Sequence, residues 1–116
     1  MAKKVAYLGP AGTFSEAATL AHDPTAELVA CISVAAAVAT VEAGGANEAV
    51  VAIENSIEGS VTETLDVLIH ETQLAICKEL VLPIEQCLLA RPGAATEDVR
   101  IVFSHPQALG QCRHFM

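Results

Sequence analysis

The feature that most limits how this chain folds is a short apolar run stopped by glycine and proline and followed by a helix-capping signature. Lys4-Val5-Ala6-Tyr7-Leu8 meets Gly9-Pro10 and reads as a buried strand. Thr13-Phe14-Ser15-Glu16 then makes a capping box. The Thr13 hydroxyl can accept from the Glu16 N–H, and the Glu16 carboxylate can reach back over the first turn. A helix is predicted from there to about His22, where Asp23-Pro24 stops it. The unit then recurs. Residues 27–32 read as a second strand, Ser33 caps an Ala/Val-rich helix ending at Gly44-Gly45, and residues 49–53 form a third apolar run. The order β-α-β-α-β is that of a parallel, doubly wound α/β sheet.

Beyond the third strand the polar content rises through Glu54-Asn55-Ser56-Ile57-Glu58-Gly59-Ser60. Ser60 and Glu63 read as a second capping box, and Val61, Leu65, Leu68 and Ile69 share one helical face. From Leu74 the pattern changes to two extended apolar runs, 74–82 and 84–90, separated by Pro83. Two long strands without a helix between them predict a crossing into a second lobe. Arg91-Pro92-Gly93 reads as a turn, Thr96 as the cap of a single helical turn, and 100–103 as a further strand. Ser104-His105-Pro106-Gln107 is a third capping box, opening a helix with Ala108, Leu109, Cys112, Phe115 and Met116 on one face. That helix is expected to run to the last residue. The expected division is 1–79 for a first lobe and 80–116 for the start of a second.

Composition narrows the function. Hydrophobic residues make up 53% of the chain and aromatics 3%, so the core must be built from small aliphatic side chains, as suits parallel strands covered by helices. The longest stretch without a charge, 28–41, is shorter than the roughly 20 apolar residues of a membrane span. Met1-Ala2-Lys3-Lys4 leads into a strand rather than a signal-peptide core, so a soluble cytoplasmic protein is expected. A net charge of -8 repels phosphate backbones and argues against nucleic-acid partners. It repels small anions too, so an anionic ligand would need local donors. Cys31, Cys77, Cys87 and Cys112 form no C-x-x-C pair and read as small apolar residues in a reducing compartment. No ligand spacing for zinc is present, and His22, His70 and His114 read as surface or packing residues.

Three polar stretches each follow an apolar strand and open a helix: 9–15, 54–60 and 104–107. In open α/β sheets ligands sit outside the carboxyl ends of the strands, where helix N-termini offer N–H groups to an anion. Each stretch also has a purely structural reading, since most capping residues only cap.

Taken together, Gly9-Pro10-Ala11-Gly12-Thr13-Phe14-Ser15, Ile53-Glu54-Asn55-Ser56-Ile57-Glu58-Gly59-Ser60 and Ser104-His105-Pro106-Gln107-Ala108-Leu109 resemble the three N-terminal signature stretches of prephenate dehydratases. The order and separations match, and the resemblance covers essentially the whole chain. It implies a two-lobed catalytic domain, similar to a type II periplasmic binding protein, with a parallel-sheet lobe and the first half of a second α/β lobe. It implies decarboxylating dehydration of prephenate to phenylpyruvate, a lyase step of phenylalanine biosynthesis downstream of the shikimate pathway, without metal or organic cofactor. The family's catalytic positions fall on Glu54, Asn55, Ser104, His105 and Gln111. Substrate-binding positions fall on Thr13, Ser15, Ser56, Gly59, Ser60 and Gln107. The family's Thr-Arg-Phe motif and ACT domain have no counterpart here, so the chain is expected to be a truncated, inactive portion without phenylalanine control. Exposed apolar faces are expected to pair as a homo-oligomer, with swapped elements as one form. Arogenate dehydratases are near neighbours, and these residues do not separate the two substrates. A non-catalytic lobe that binds a small carboxylate is the alternative from another class.

Overall fold

The computed structural model describes residues 2–55, 59–104 and 106–115, apart from the side chains of Gly59, Ser60 and Gln107. The expectations for Ser56 and His105, and for the side chains of those three residues, lie outside the described part.

Three strands form a parallel sheet in the order β2-β1-β3, with β1 at Lys4–Leu8, β2 at Glu27–Cys31 and β3 at Glu48–Val50. Val5, Ala6 and Tyr7 of the central strand are all buried, which accounts for an apolar run without alternation. Helix α1, Phe14–His22, and helix α2, Val34–Glu42, connect the strands. The expected caps are present: Thr13 Oγ1 accepts from the Glu16 N–H at 3.3 Å, and Ser33 Oγ accepts from the Ala36 N–H at 3.0 Å. Two small cores hold the layers together. Ala6, Ala37 and Ala46 form one, with Val29 and Ala49 packed around it. Val34, Val38 and Val67 form the other, with Leu8 and Val51 against it. Each fully buried valine contributes about 1.5–2 kcal/mol of transfer free energy, so a lobe of this size rests on a handful of aliphatic contacts.

Four expectations need correction. The third strand ends at Val50, not 53. Its partner β1 runs into Gly9, whose N–H goes to Cys31 O at 2.8 Å on the β2 side, and then into Pro10, which has no N–H to offer β3. The polar stretch after it is not a plain strand-to-helix loop: β4, Glu54–Asn55, pairs antiparallel with β5, Gly59–Ser60. Helix α3, Thr62–Asp66, therefore starts later, with Val61 at its cap position and no side-chain cap. The Glu63 carboxylate expected to serve a box with Ser60 instead accepts from the Val34 N–H of α2 at 3.2 Å. After Asp66 the helix widens into a π segment, Val67–Glu71.

The third correction concerns 74–82, 84–90 and 100–103. These are extended but form no strand, because a strand needs a ladder partner and the described residues supply none. The turn at Arg91-Pro92-Gly93 is present, closed by the Ala94 N–H on Arg91 O at 3.1 Å. The single helical turn is a 3₁₀ segment, Thr96–Asp98, with Ala95 rather than Thr96 at its cap position. Fourth, the last helix, α4, spans Pro106–Gln111 and gives way to turns rather than running on. The radius of gyration is 16.4 Å, against about 13 Å for a compact domain of this length. Among the described residues, the buried hydrophobic ones all lie between Val5 and Val67.

Candidate functional site

The carboxyl ends of β1 and β3 lie side by side, since Tyr7 is in register with Val50. This places the loop 9–13 and the β4 hairpin strand at the same end of the sheet. Gly9 lets that loop start close to β2: a Cβ there would lie 3.0 Å from the Ala30 Cβ. Gly12 sits at φ +88°, in the left-handed region that other residues avoid. Thr13 is half-buried, and its hydroxyl is committed to the loop, donating to Pro10 O at 3.0 Å while accepting from Glu16. Ser15 is half-buried one residue into α1, and its carbonyl accepts from the buried Thr19 hydroxyl at 2.7 Å.

Glu16 was visible in the sequence as the N3 member of the box, but its reach was not. Glu16 Oε1 accepts from the Gly12 N–H at 3.0 Å, and the Tyr7 hydroxyl points at Oε2 at 3.4 Å. Burial first, and the neighbouring Glu16 second, push the Tyr7 phenol above its ordinary range. The carboxylate already occupies the electropositive start of α1. An incoming carboxylate meets backbone N–H groups there, but also a resident negative charge.

On the β3 side, Glu54 is exposed, while Asn55 is half-buried and engaged within the molecule. The backbones of Gly59 and Ser60 hold Asn55 and Glu54 in antiparallel register. The structure thus brings Thr13, Ser15, Glu54 and Asn55 to one end of one sheet.

Ser104 and Gln111 lie elsewhere. Both line an open cleft of about 1330 Å³ whose described lining runs from Gln86 to Phe115, with no contribution from the first three strands. Gln86 Nε2 donates to Gln111 Oε1 at 3.0 Å, a pair that a separation of 25 positions hid from sequence reading. Arg91 and Arg100 also line this cleft. Asp98, its one described carboxylate, accepts from the Ala95 N–H at 3.0 Å.

A further polar cluster lies at the opposite end of the sheet, where the strands begin. Lys3 Nζ is 2.7 Å from Glu48 Oε1 and 3.6 Å from Asp23 Oδ2, and His22 Nε2 is 2.9 Å from the same Glu48 oxygen. The Lys3 ammonium, then the His22 ring, hold the Glu48 carboxyl below its ordinary range. The Thr25 hydroxyl and N–H, with Lys3 behind them, do the same for Asp23. Distance from the strand tips makes this cluster structural. Among the described residues no group of three or more His, Cys, Asp or Glu side chains is placed to hold a metal ion. None of the four cysteines is in a disulfide. No helix among the described residues is long and apolar enough to cross a membrane.

A family model for prephenate dehydratase matches residues 5–116. The chain belongs to the prephenate dehydratase family. The prephenate dehydratase of Mycobacteroides abscessus is 42% identical, over 98% of this chain and 40% of that protein. Arogenate dehydratase/prephenate dehydratase 1 of Arabidopsis thaliana is 41% identical, over 94% of this chain and 28% of the relative. In three dimensions the chain superposes on the crystal structure of prephenate dehydratase from Streptococcus mutans. The TM-score is 0.69 at 39% identity, covering 71% of this chain and 43% of that one. The fold of this dehydratase-family chain is therefore the mixed α/β fold with a parallel sheet expected from its sequence. The chain spans well under half the length of the curated relatives it matches.

Proposed function

We propose that this chain supplies the substrate-gripping first part of a prephenate dehydratase, acting in the decarboxylating dehydration of prephenate to phenylpyruvate. The observation that carries the reading is the family match over 5–116, joined to the placement of Thr13 and Asn55 at adjacent strand tips. In the reaction the C–CO₂⁻ bond breaks and its electron pair moves into the ring. The ring hydroxyl leaves as water once protonated, and carbon dioxide departs. Asn55, Ser104 and Gln111 are assigned as donors to substrate oxygens, with Glu54 and His105 beside them. Because the Thr13 hydroxyl already donates to Pro10 O, carboxylate contact at the first loop falls to backbone N–H groups there and to Ser15. Ser56, Gly59, Ser60 and Gln107 complete the substrate-binding set by resemblance. No cofactor enters this scheme.

The assignment of 1–79 and 80–116 to two lobes belongs to the same proposal, with the substrate between them. Free cysteines, two of them exposed, suit a reducing cytoplasm. On its own the chain is assigned as inactive and self-associating, through exposed side chains such as Val81, Leu89 and Phe103.

Calorimetric titration of the chain with prephenate tests the reading. Binding should weaken about tenfold or more in Asn55→Ala, as expected for losing a hydrogen bond to a charged group, while the far-UV spectrum is unchanged. No binding of prephenate by the unsubstituted chain would sink the proposal. Equal binding of unrelated small carboxylates would favour the non-catalytic carboxylate-binding lobe.

A further inference from the structure

The first loop is built on Glu16. Its Oε1 accepts from the Gly12 N–H at 3.0 Å, and its Oε2 faces the Tyr7 hydroxyl at 3.4 Å. Its own N–H closes the cap on Thr13 Oγ1, which in turn donates to Pro10 O. A half-buried carboxylate therefore joins the central strand, the loop and the first turn of α1. Tyr7 is buried in the core, so the strand end of this chain of bonds is fixed. Burial, then the facing carboxylate, raises the Tyr7 phenol, which stays a donor at neutral pH.

The loop end depends on Glu16 itself. Gly12 lies at φ +88°, and glycine samples either sign of φ about equally readily. The bond to Glu16 Oε1 is what selects this conformation. A Cβ at Gly12 would meet no described atom within 4 Å, so the backbone here faces open space that a ligand can enter. The same carboxylate sets the charge of the turn. Its geometry presents the loop to a ligand, while its charge opposes an anion arriving at Thr13 and Ser15. Glutamine separates these effects, because it keeps an Oε1 acceptor and drops the charge.

We infer that Glu16, anchored by Tyr7, is the positioning residue of the first loop: it holds Gly12 in place for carboxylate capture at Thr13 and Ser15, and its charge sets how tightly an anion is held there. Glu16 acts through the loop backbone and does not itself bind the ligand. The inference rests on the dehydratase reading for the ligand, but not for the lock on Gly12.

The test compares Glu16→Gln and Glu16→Ala with the unsubstituted 116-residue chain. Hydrogen exchange at the Gly12 amide is read without ligand. Phenylpyruvate affinity is then read by calorimetric titration in low salt and in about 1 M salt. Gly12 protection should persist in Glu16→Gln and be lost in Glu16→Ala. In low salt Glu16→Gln should bind phenylpyruvate about two- to threefold more tightly than the unsubstituted chain, the size expected for a partly exposed charge pair. That gain should vanish in about 1 M salt. Glu16→Ala is equally uncharged and should bind about fivefold more weakly than Glu16→Gln at both salt concentrations, the net effect of one hydrogen bond. A merely structural glutamate would lower Tm in both variants and leave their affinities equal. Equal affinities of the two variants, Gly12 protection unchanged in Glu16→Ala, or no low-salt gain in Glu16→Gln would overturn the inference while the dehydratase reading stands. No phenylpyruvate binding by any of the three chains, with Gly12 protection lost only in Glu16→Ala, would uphold the lock and reject the dehydratase reading instead.

Discussion

Glu63 offers the sharpest check on how the first lobe is tied together. Its carboxylate crosses from α3 to accept the Val34 N–H at the first turn of α2, beside the N–H that Ser33 already satisfies. Removing it in Glu63→Ala strands an orphan donor and takes a negative charge from a helix N-terminus. A hydrogen bond to a charged group contributes about 1.5–3 kcal/mol, and the helix-end charge about 0.3–1 kcal/mol. Glu63 is exposed, so water replaces much of what is lost, and a net cost of about 1 kcal/mol is expected. For a folded unit of this size that lowers Tm by about 4–8 °C. Glu63→Gln keeps an acceptor without the charge and should lose about half as much. Thermal melts followed by far-UV circular dichroism in low salt, repeated in about 1 M salt where screening acts within roughly 3 Å, separate the two contributions. Glu63→Ala within about 0.3 kcal/mol of the unsubstituted chain, or Glu63→Gln as damaging as alanine, would refute the cross-helix bond.

Glu48 and Asp23 are both held below the ordinary carboxylate range when folded. Their stabilising contribution is therefore complete above that range and is lost as pH falls through the folded-state values, where the unfolded chain binds more protons. Urea midpoints measured from neutral to acid pH should fall less steeply in Glu48→Gln than in the unsubstituted chain. Val5 is fully buried in the central strand, and Val5→Ala should cost about 2 kcal/mol in urea denaturation. In native thiol titration, Cys77 and Cys87 should react at once and Cys31 and Cys112 more slowly, with all four equal after unfolding.

The parallel sheet was legible because its signals are local. Thr13 and Ser33 sit where caps must sit, and an all-apolar run such as Val5-Ala6-Tyr7 between Lys4 and Gly9-Pro10 suits a central strand buried on both faces. What escaped the sequence was non-local. The end of β3 is decided by what β1 can offer across the ladder, and Pro10 has no N–H to give. Glu63 looked like the partner of Ser60 because their spacing fits a box, yet a helix 29 residues away competes for it. The 74–90 and 100–103 runs have strand composition without strand partners, and composition alone does not report whether a partner is present. At the site, the residue types at Thr13 and Asn55 were readable. That the Thr13 hydroxyl is spent on Pro10, and that Glu16 fills the start of α1, depended on loop geometry.

Backbone amide shifts followed as phenylpyruvate is titrated into the chain probe the shared ligand face of β1 and β3 most directly. Coupled, saturable shifts at Gly12, Thr13 and Ser15 together with Ile53 and Asn55, at one common dissociation constant, are the expected result. Shifts confined to one of the two loops, or centred on the Lys3–Glu48 cluster at the far end of the sheet, would contradict the account.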